Sequence, residues 1–122
     1  MRIVNREEFL RLPAGTIFAK YADQKPGVVT LDSGKIAIKE ETCHEDFVVQ
    51  ELDPWFEGCN DSGDWSDVYE RMLEGERSPP VDYDFAGRDG EFDRDQLFLV
   101  WEKDDARKLI DRLEQAYASA YP

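Results

Sequence analysis

Gln96-Leu97-Phe98-Leu99-Val100-Trp101 is the most apolar run of the chain, and its reading decides the fold. A run this short and this continuous suits a central strand, so it predicts the centre of a sheet. Upstream of it, Gly87-Arg88-Asp89-Gly90 marks a turn. Before that turn, Val81, Tyr83 and Phe85 alternate with Asp82 and Asp84, the pattern of an edge strand with one charged face. Asp46-Phe47-Val48-Val49-Gln50-Glu51-Leu52 reads as a further strand, stopped by Asp53-Pro54 because proline lacks the donor a ladder requires. Val28-Val29-Thr30-Leu31 and Lys35-Ile36-Ala37-Ile38-Lys39 flank Asp32-Ser33-Gly34 and predict a hairpin. Gly15 to Tyr21 alternates as a strand does, with Ile17, Ala19 and Tyr21 on one side.

Three helices complete the pattern. Asn5 and Glu8 have the spacing of a capping box, which predicts a short helix carrying Phe9, Leu10 and Leu12 before Pro13. Trp65, Val68, Tyr69, Met72 and Leu73 recur at helical spacing over residues 64–74, closed by Gly75. The last helix starts at Asp104 or Asp105 and sets Ala106, Leu109, Ile110, Leu113, Ala116 and Tyr117 on one face. The order predicts an α+β fold, a mainly antiparallel sheet of five to six strands with two to three helices packed on it, in a single domain of 122 residues.

Charge is unevenly placed on this frame. Residues 40–95 hold 19 Asp and Glu against 4 Arg and no Lys, whereas the remainder holds 9 acids against 11 bases. A near-neutral frame therefore carries an acidic module with a net charge of −15. Such a field attracts cationic partners and raises their rate of encounter. Direct binding of nucleic acid is not expected, because phosphate neutralisation needs Lys and Arg where this chain has Asp and Glu. Hydrophobic residues at 41% and charged residues at 35% describe a folded, soluble chain. No run approaches the roughly 18 apolar residues of a membrane span, and the first residues lack the apolar core of a signal peptide. The expected compartment is the cytoplasm, where Cys43 and Cys59 are reduced.

Phe9-Leu10-Arg11-Leu12-Pro13-Ala14-Gly15-Thr16, Asp46-Phe47, Arg88-Asp89-Gly90, Gln96-Leu97-Phe98-Leu99-Val100 and Glu102-Lys103-Asp104 resemble blocks of a group of small acidic proteins encoded by bacteriophages and prophages. The resemblance implies a setting inside a bacterial host. Phage accessory proteins of this size often block or buffer host defence, and anti-CRISPR proteins that present an acidic surface to a nucleic-acid channel are one such class. It carries over no catalytic residue.

Several chemistries can be weighed on spacing. Asp82, Asp84, Gly87 and Asp93 fall at positions 1, 3, 6 and 12 of a calcium loop, but position 5 is Ala86 and the last ligand is Asp where a bidentate Glu is usual. Cys43, His44 and Cys59 give three soft ligands with no second pair for zinc. His44 next to Cys43 would point to the opposite face of a strand, which leaves only Cys59 as a thiol the one histidine could activate. No metal, no cofactor and no enzymatic activity are therefore expected.

Within the acidic module, rings and carboxylates alternate. Trp65, Tyr69 and Phe85 read as core, whereas Trp55 and Phe56 follow Pro54 outside any periodic element and read as interface anchors. Asp61, Asp64, Asp67, Glu70 and Glu74 read as the steering acids, with residues 67, 70 and 74 on one helical face. The expected function is a non-enzymatic binding protein or inhibitor that occupies a basic, nucleic-acid-binding surface of a host protein. Two rivals remain at this level. One is an immunity protein or antitoxin that plugs a nuclease. The other is a sponge for a small nucleotide signal, which would need Arg71, Arg77, Arg88 and Arg94 grouped around one cavity. The oligomeric state is not specified by the sequence.

Overall fold

The computed structural model describes residues 1–21 and 35–122. Its elements are β1 (Arg2–Val4), α1 (Arg6–Leu10), β2 (Thr16–Tyr21), β3 (Ala37–Cys43), β4 (Asp46–Glu51), α2 (Ser62–Leu73), β5 (Gly87–Arg88), β6 (Leu97–Val100) and α3 (Lys103–Ala120). The six strands form one sheet in the order β1-β6-β2-β3-β4-β5, and every neighbouring pair is antiparallel. The fold is thus α+β, as the element order predicts. The expected strand 28–31 and the turn at 32–34 lie outside the described residues.

The apolar run at 96–101 becomes β6, and it is internal: β1 pairs on one side and β2 on the other. Phe98 and Val100 point to the covered face, where they meet Val4, Phe18, Ala37, Phe47 and, from α1, Phe9. Phe9 sits at the centre of this cluster. Its ring stacks on Phe98 at 3.8 Å, approaches Phe18 at 4.8 Å and meets Phe47 edge-on at 5.0 Å. A helix of five residues has little stability of its own, so Phe9 is what holds α1 on the sheet. Its first turn is capped as the sequence predicts, the Asn5 side chain accepting the Glu8 amide at 2.9 Å.

The other end of α1 depends on a charge. Lys39 on β3 is 1% exposed, and its ammonium donates to the carbonyls of Leu12 (2.9 Å) and Glu40 (3.0 Å) and to the Thr42 hydroxyl (2.9 Å). Thr42 in turn donates to the Leu10 carbonyl at 2.6 Å. A helix end leaves carbonyls without intrahelical partners, and here a buried lysine and a threonine satisfy two in that region. Burial holds the Lys39 ammonium below its usual pKa.

A second, smaller core lies beyond β4. Phe56, Cys59 and Val68 are its buried members, with Trp55, Trp65, Tyr69 and Met72 packed around them. It forms because residues 55–57 pair with residues 80–82: Phe56 bridges Val81, the Glu57 amide donates to the Pro80 carbonyl at 2.9 Å, and the Asp82 amide donates to the Trp55 carbonyl at 2.8 Å. Helix α2 covers one side. Asp61 caps its start, and at its end Gly75, at a φ of 99°, allows the Gly75 and Glu76 amides to reach the Met72 and Arg71 carbonyls.

Two expectations are corrected here. Residues 81–85 are not a strand, because the Asp82 side chain accepts the Asp84 amide at 2.9 Å and turns the chain off the ladder, leaving only Gly87–Arg88 as β5. α3 begins at Lys103, earlier than expected, with the Asp105 carboxylate accepting the Glu102 amide at 3.2 Å. No residue of α3 is buried, and Leu113 and Tyr117 on its apolar face are exposed.

Candidate functional site

The carboxylates of residues 40–95 divide into two populations. The first is structural. Asp46 is 1% exposed and accepts from Arg88 Nε (2.9 Å) and from the Gly90 amide (3.1 and 3.2 Å to its two oxygens), with the Arg6 guanidinium 3.8 Å away. Asp89 takes the Lys20 ammonium at 2.6 Å and faces Arg6 at 3.9 Å, while Glu91 takes Lys20 at 2.7 Å. This network ties the turn after β5 to α1 and β2. Burial pushes the Asp46 carboxyl up, but the Phe47 and Gly90 amides and the Arg88 guanidinium outweigh it and hold the carboxyl below its ordinary value. For Lys20, burial is likewise outweighed by Asp89 and Glu91, so its pKa is raised.

The second population has no counter-charge. Among the described residues, no Lys or Arg comes within salt-bridge distance of Glu57, Asp61, Asp64, Asp67, Glu70, Glu74, Glu76, Asp82 or Asp84. Five of these are the expected steering acids, and α2 with its cap brings them together. They are not equivalent. Asp61 is the N-cap, accepting the Asp64 amide at 2.8 Å, and Asp64 is half-buried and accepts the Asn60 amide at 3.0 Å. Both are therefore committed to starting the helix, where a negative charge meets the positive end of its dipole. Asp67, Glu70 and Glu74 are exposed and share a face by their three- and four-residue steps. They are the acids that α2 leaves available.

The expected anchors change places with an expected core residue. Phe56 is 3% exposed inside the second core, so it offers no surface to a partner. Trp55 is half-buried, its indole N–H donating to the Cys59 carbonyl at 3.1 Å, and its ring stacks on Phe85 at 4.6 Å and 17°. Phe85, read from the sequence as core, is 47% exposed. Together with Trp65, whose indole donates to the Pro54 carbonyl at 3.1 Å, these rings line a cleft of about 330 Å³ that also includes Val49, Glu51, Asp53 and Arg88.

The four arginines of the module do not converge. Arg88 borders this cleft and a second one at Lys20, Lys35 and Asp89, Arg94 borders a third beside Arg6 and Phe92, and Arg71 and Arg77 border none of the three. Of the soft ligands, Cys43 is half-buried on β3, His44 is exposed in the β3–β4 turn at a φ of 57°, and Cys59 is buried in the second core. Among the described residues, no group of three or more His, Cys, Asp and Glu is arranged to hold a metal ion, and no helix is long and apolar enough to cross a membrane. Comparison with protein-family models, curated proteins and solved structures found no match.

Proposed function

We propose that the chain is a non-enzymatic, phage-encoded binding protein that occupies a basic, nucleic-acid-binding surface of a host defence protein. The observation that carries this reading is the set of exposed carboxylates on α2 that no cation of the described chain neutralises, Asp67, Glu70 and Glu74 foremost. Uncompensated like charge lowers the stability of a compact state, so its concentration on one exposed helix face favours a binding role over a solubilising one. Duplex DNA carries one charge per roughly 1.7 Å of axis, and carboxylates fixed on a helix compete for the same Lys and Arg. The dispersal of Arg71, Arg77, Arg88 and Arg94 disfavours the nucleotide sponge.

The test is capture of a host protein from a bacterial lysate, followed by binding kinetics across a salt series. Exposed charges are screened beyond about 8 Å at physiological ionic strength, so affinity is expected to fall steeply with salt. Duplex DNA is expected to compete for the captured protein. The triple variant Asp67→Asn, Glu70→Gln, Glu74→Gln is expected to slow association and flatten the salt dependence while leaving the melting temperature within a few degrees, because all three side chains are exposed. A flat salt profile for the unmodified protein would overturn the electrostatic reading.

A further inference from the structure

Three aromatic rings and two carboxylates line the cleft of about 330 Å³, and the rings are fixed in place by the protein itself. Trp55 and Trp65 are half-buried and give their indole N–H groups to the carbonyls of Cys59 and Pro54, both at 3.1 Å, while Phe85 stacks on Trp55 at 4.6 Å. Neither indole donor is free for a ligand. The rings therefore offer only carbon surface and π-electron density, and Phe85 leaves 47% of its own surface exposed. The polar groups beside them are unbalanced in charge. Glu51 is exposed with no Lys or Arg within salt-bridge distance among the described residues, and Asp53 is exposed and held only by a surface pair with Lys35 at 3.3 Å. Arg88, the cation of the lining, is already engaged by the buried Asp46 at 2.9 Å.

We propose that this cleft binds a small quaternary ammonium compound, its alkylated nitrogen against the rings of Trp55, Trp65 and Phe85 and its charge balanced by the carboxylates of Glu51 and Asp53. An aromatic face attracts a cation through the ring quadrupole, and tryptophan does so best. The rest of the lining selects within the possible ligands. An anion meets two carboxylates, and a neutral apolar group gains nothing from them. A primary ammonium is strongly hydrated, and it would lose that water to carbon faces that return no strong hydrogen bond. A quaternary ammonium has no N–H to satisfy, so it gains from the rings and the acids together. The occupant is a free small molecule. The volume lies at the lower end of the range for ligand pockets, about 300 Å³, and the neighbouring backbone is already paired: the Glu51 carbonyl accepts the Gln50 side-chain amide at 2.8 Å, and residues 80–82 pair with 55–57. This site does not use the exposed acids of α2, so it stands or falls independently of the host-surface reading.

The experiment titrates the whole protein with choline and with dimethylbutanol, the neutral molecule in which carbon replaces the choline nitrogen, following tryptophan fluorescence at constant ionic strength. Choline is expected to bind saturably in the millimolar range, and the neutral isostere about tenfold more weakly. Phe85→Leu keeps an apolar side chain but removes the ring. It is expected to weaken choline about fivefold and to leave the isostere unchanged, with little change in melting temperature because the site is 47% exposed. The double variant Glu51→Gln, Asp53→Asn, at two exposed positions, gives an independent reading and is expected to bring choline down toward its isostere. Equal binding of the two molecules would reduce the cleft to an apolar groove, and choline binding indifferent to both variants would place it elsewhere on the protein. Either result overturns the proposal, as does the absence of saturable choline binding. A blocked peptide carrying trimethyl-lysine that binds more than about tenfold tighter than choline would overturn the assignment to a free small molecule.

Discussion

Phe9→Ala is expected to destabilise the protein by about 4 kcal/mol, the range measured for removing a fully buried phenylalanine, and to lower the melting temperature by about 10 to 20 °C. Phe9 is 0% exposed and touches the other three phenylalanines of the main core, Phe18, Phe47 and Phe98. The lost ring leaves a cavity bounded by rigid side chains on three strands, which cannot collapse into it. A second consequence follows from Lys39. With α1 loosened, the Leu10 and Leu12 carbonyls are no longer held over β3, and a buried ammonium loses part of its hydrogen bonding. Phe9→Ala and Lys39→Met are therefore expected to couple, each costing less in the presence of the other. Tyr117→Ala, at an exposed site on α3, is the control and is expected to stay within about 0.5 kcal/mol of the parent. Urea unfolding of the parent, the two single variants, their double variant and the control measures all of this. A loss below about 1.5 kcal/mol for Phe9→Ala would mean that α1 is not held by this ring.

The features legible in the sequence are those set by neighbours in the chain. The Asn5 cap, the Gly75 stop and the strand character of residues 16–21, 46–51 and 97–100 depend on local side chain to backbone bonds, on period-two alternation in the first strand and on short apolar runs in the other two, and each is found in the structure. What escaped depends on distant partners. β1 is three residues long and exists because β6 pairs with it, so no period announces it. β3 runs on to Cys43 through Glu40 and Glu41, across a register shift between Lys39 and Thr42 that breaks the alternation. Lys39 is a residue type of the surface and becomes core only because the Leu12 carbonyl, just past α1, and the Thr42 hydroxyl meet its ammonium. Phe56 is buried by a bridge to Val81, and the release of Phe85 to the surface follows from the turn at Asp82. The acidic module could be located from composition alone. Its division into structural carboxylates, such as Asp46 and Asp89, and uncompensated ones could not, since it depends on Arg6 and Lys20 reaching them from α1 and β2.

Asp46→Asn tests that division. Asp46 stands between Arg88 and Arg6, with both oxygens toward the Gly90 amide. Asparagine keeps the shape but removes the charge, and it offers one N–H₂ where only acceptors fit. Breaking a buried ion pair from one side typically costs about 3 to 5 kcal/mol because the partner charge stays buried, and Arg6 is 7% exposed with only the Glu45 carbonyl (2.8 Å) and the more distant Asp89 remaining. The sign of the pH dependence then identifies the cause. A carboxyl whose folded pKa lies below its unfolded value contributes stability that is complete above the unfolded value, about pH 4, and is lost as pH falls through the folded value. Asp46 is such a group. Parent and variant are therefore expected to differ most from pH 5 to 7 and to converge toward acid, where the parent carboxyl is protonated as well. A difference that stays constant from pH 7 down to about pH 2, below the ordinary carboxyl range, would assign the loss to shape. In that case the buried network would owe its stability to packing, and Asp46 would join the carboxylates whose charge does nothing for the fold.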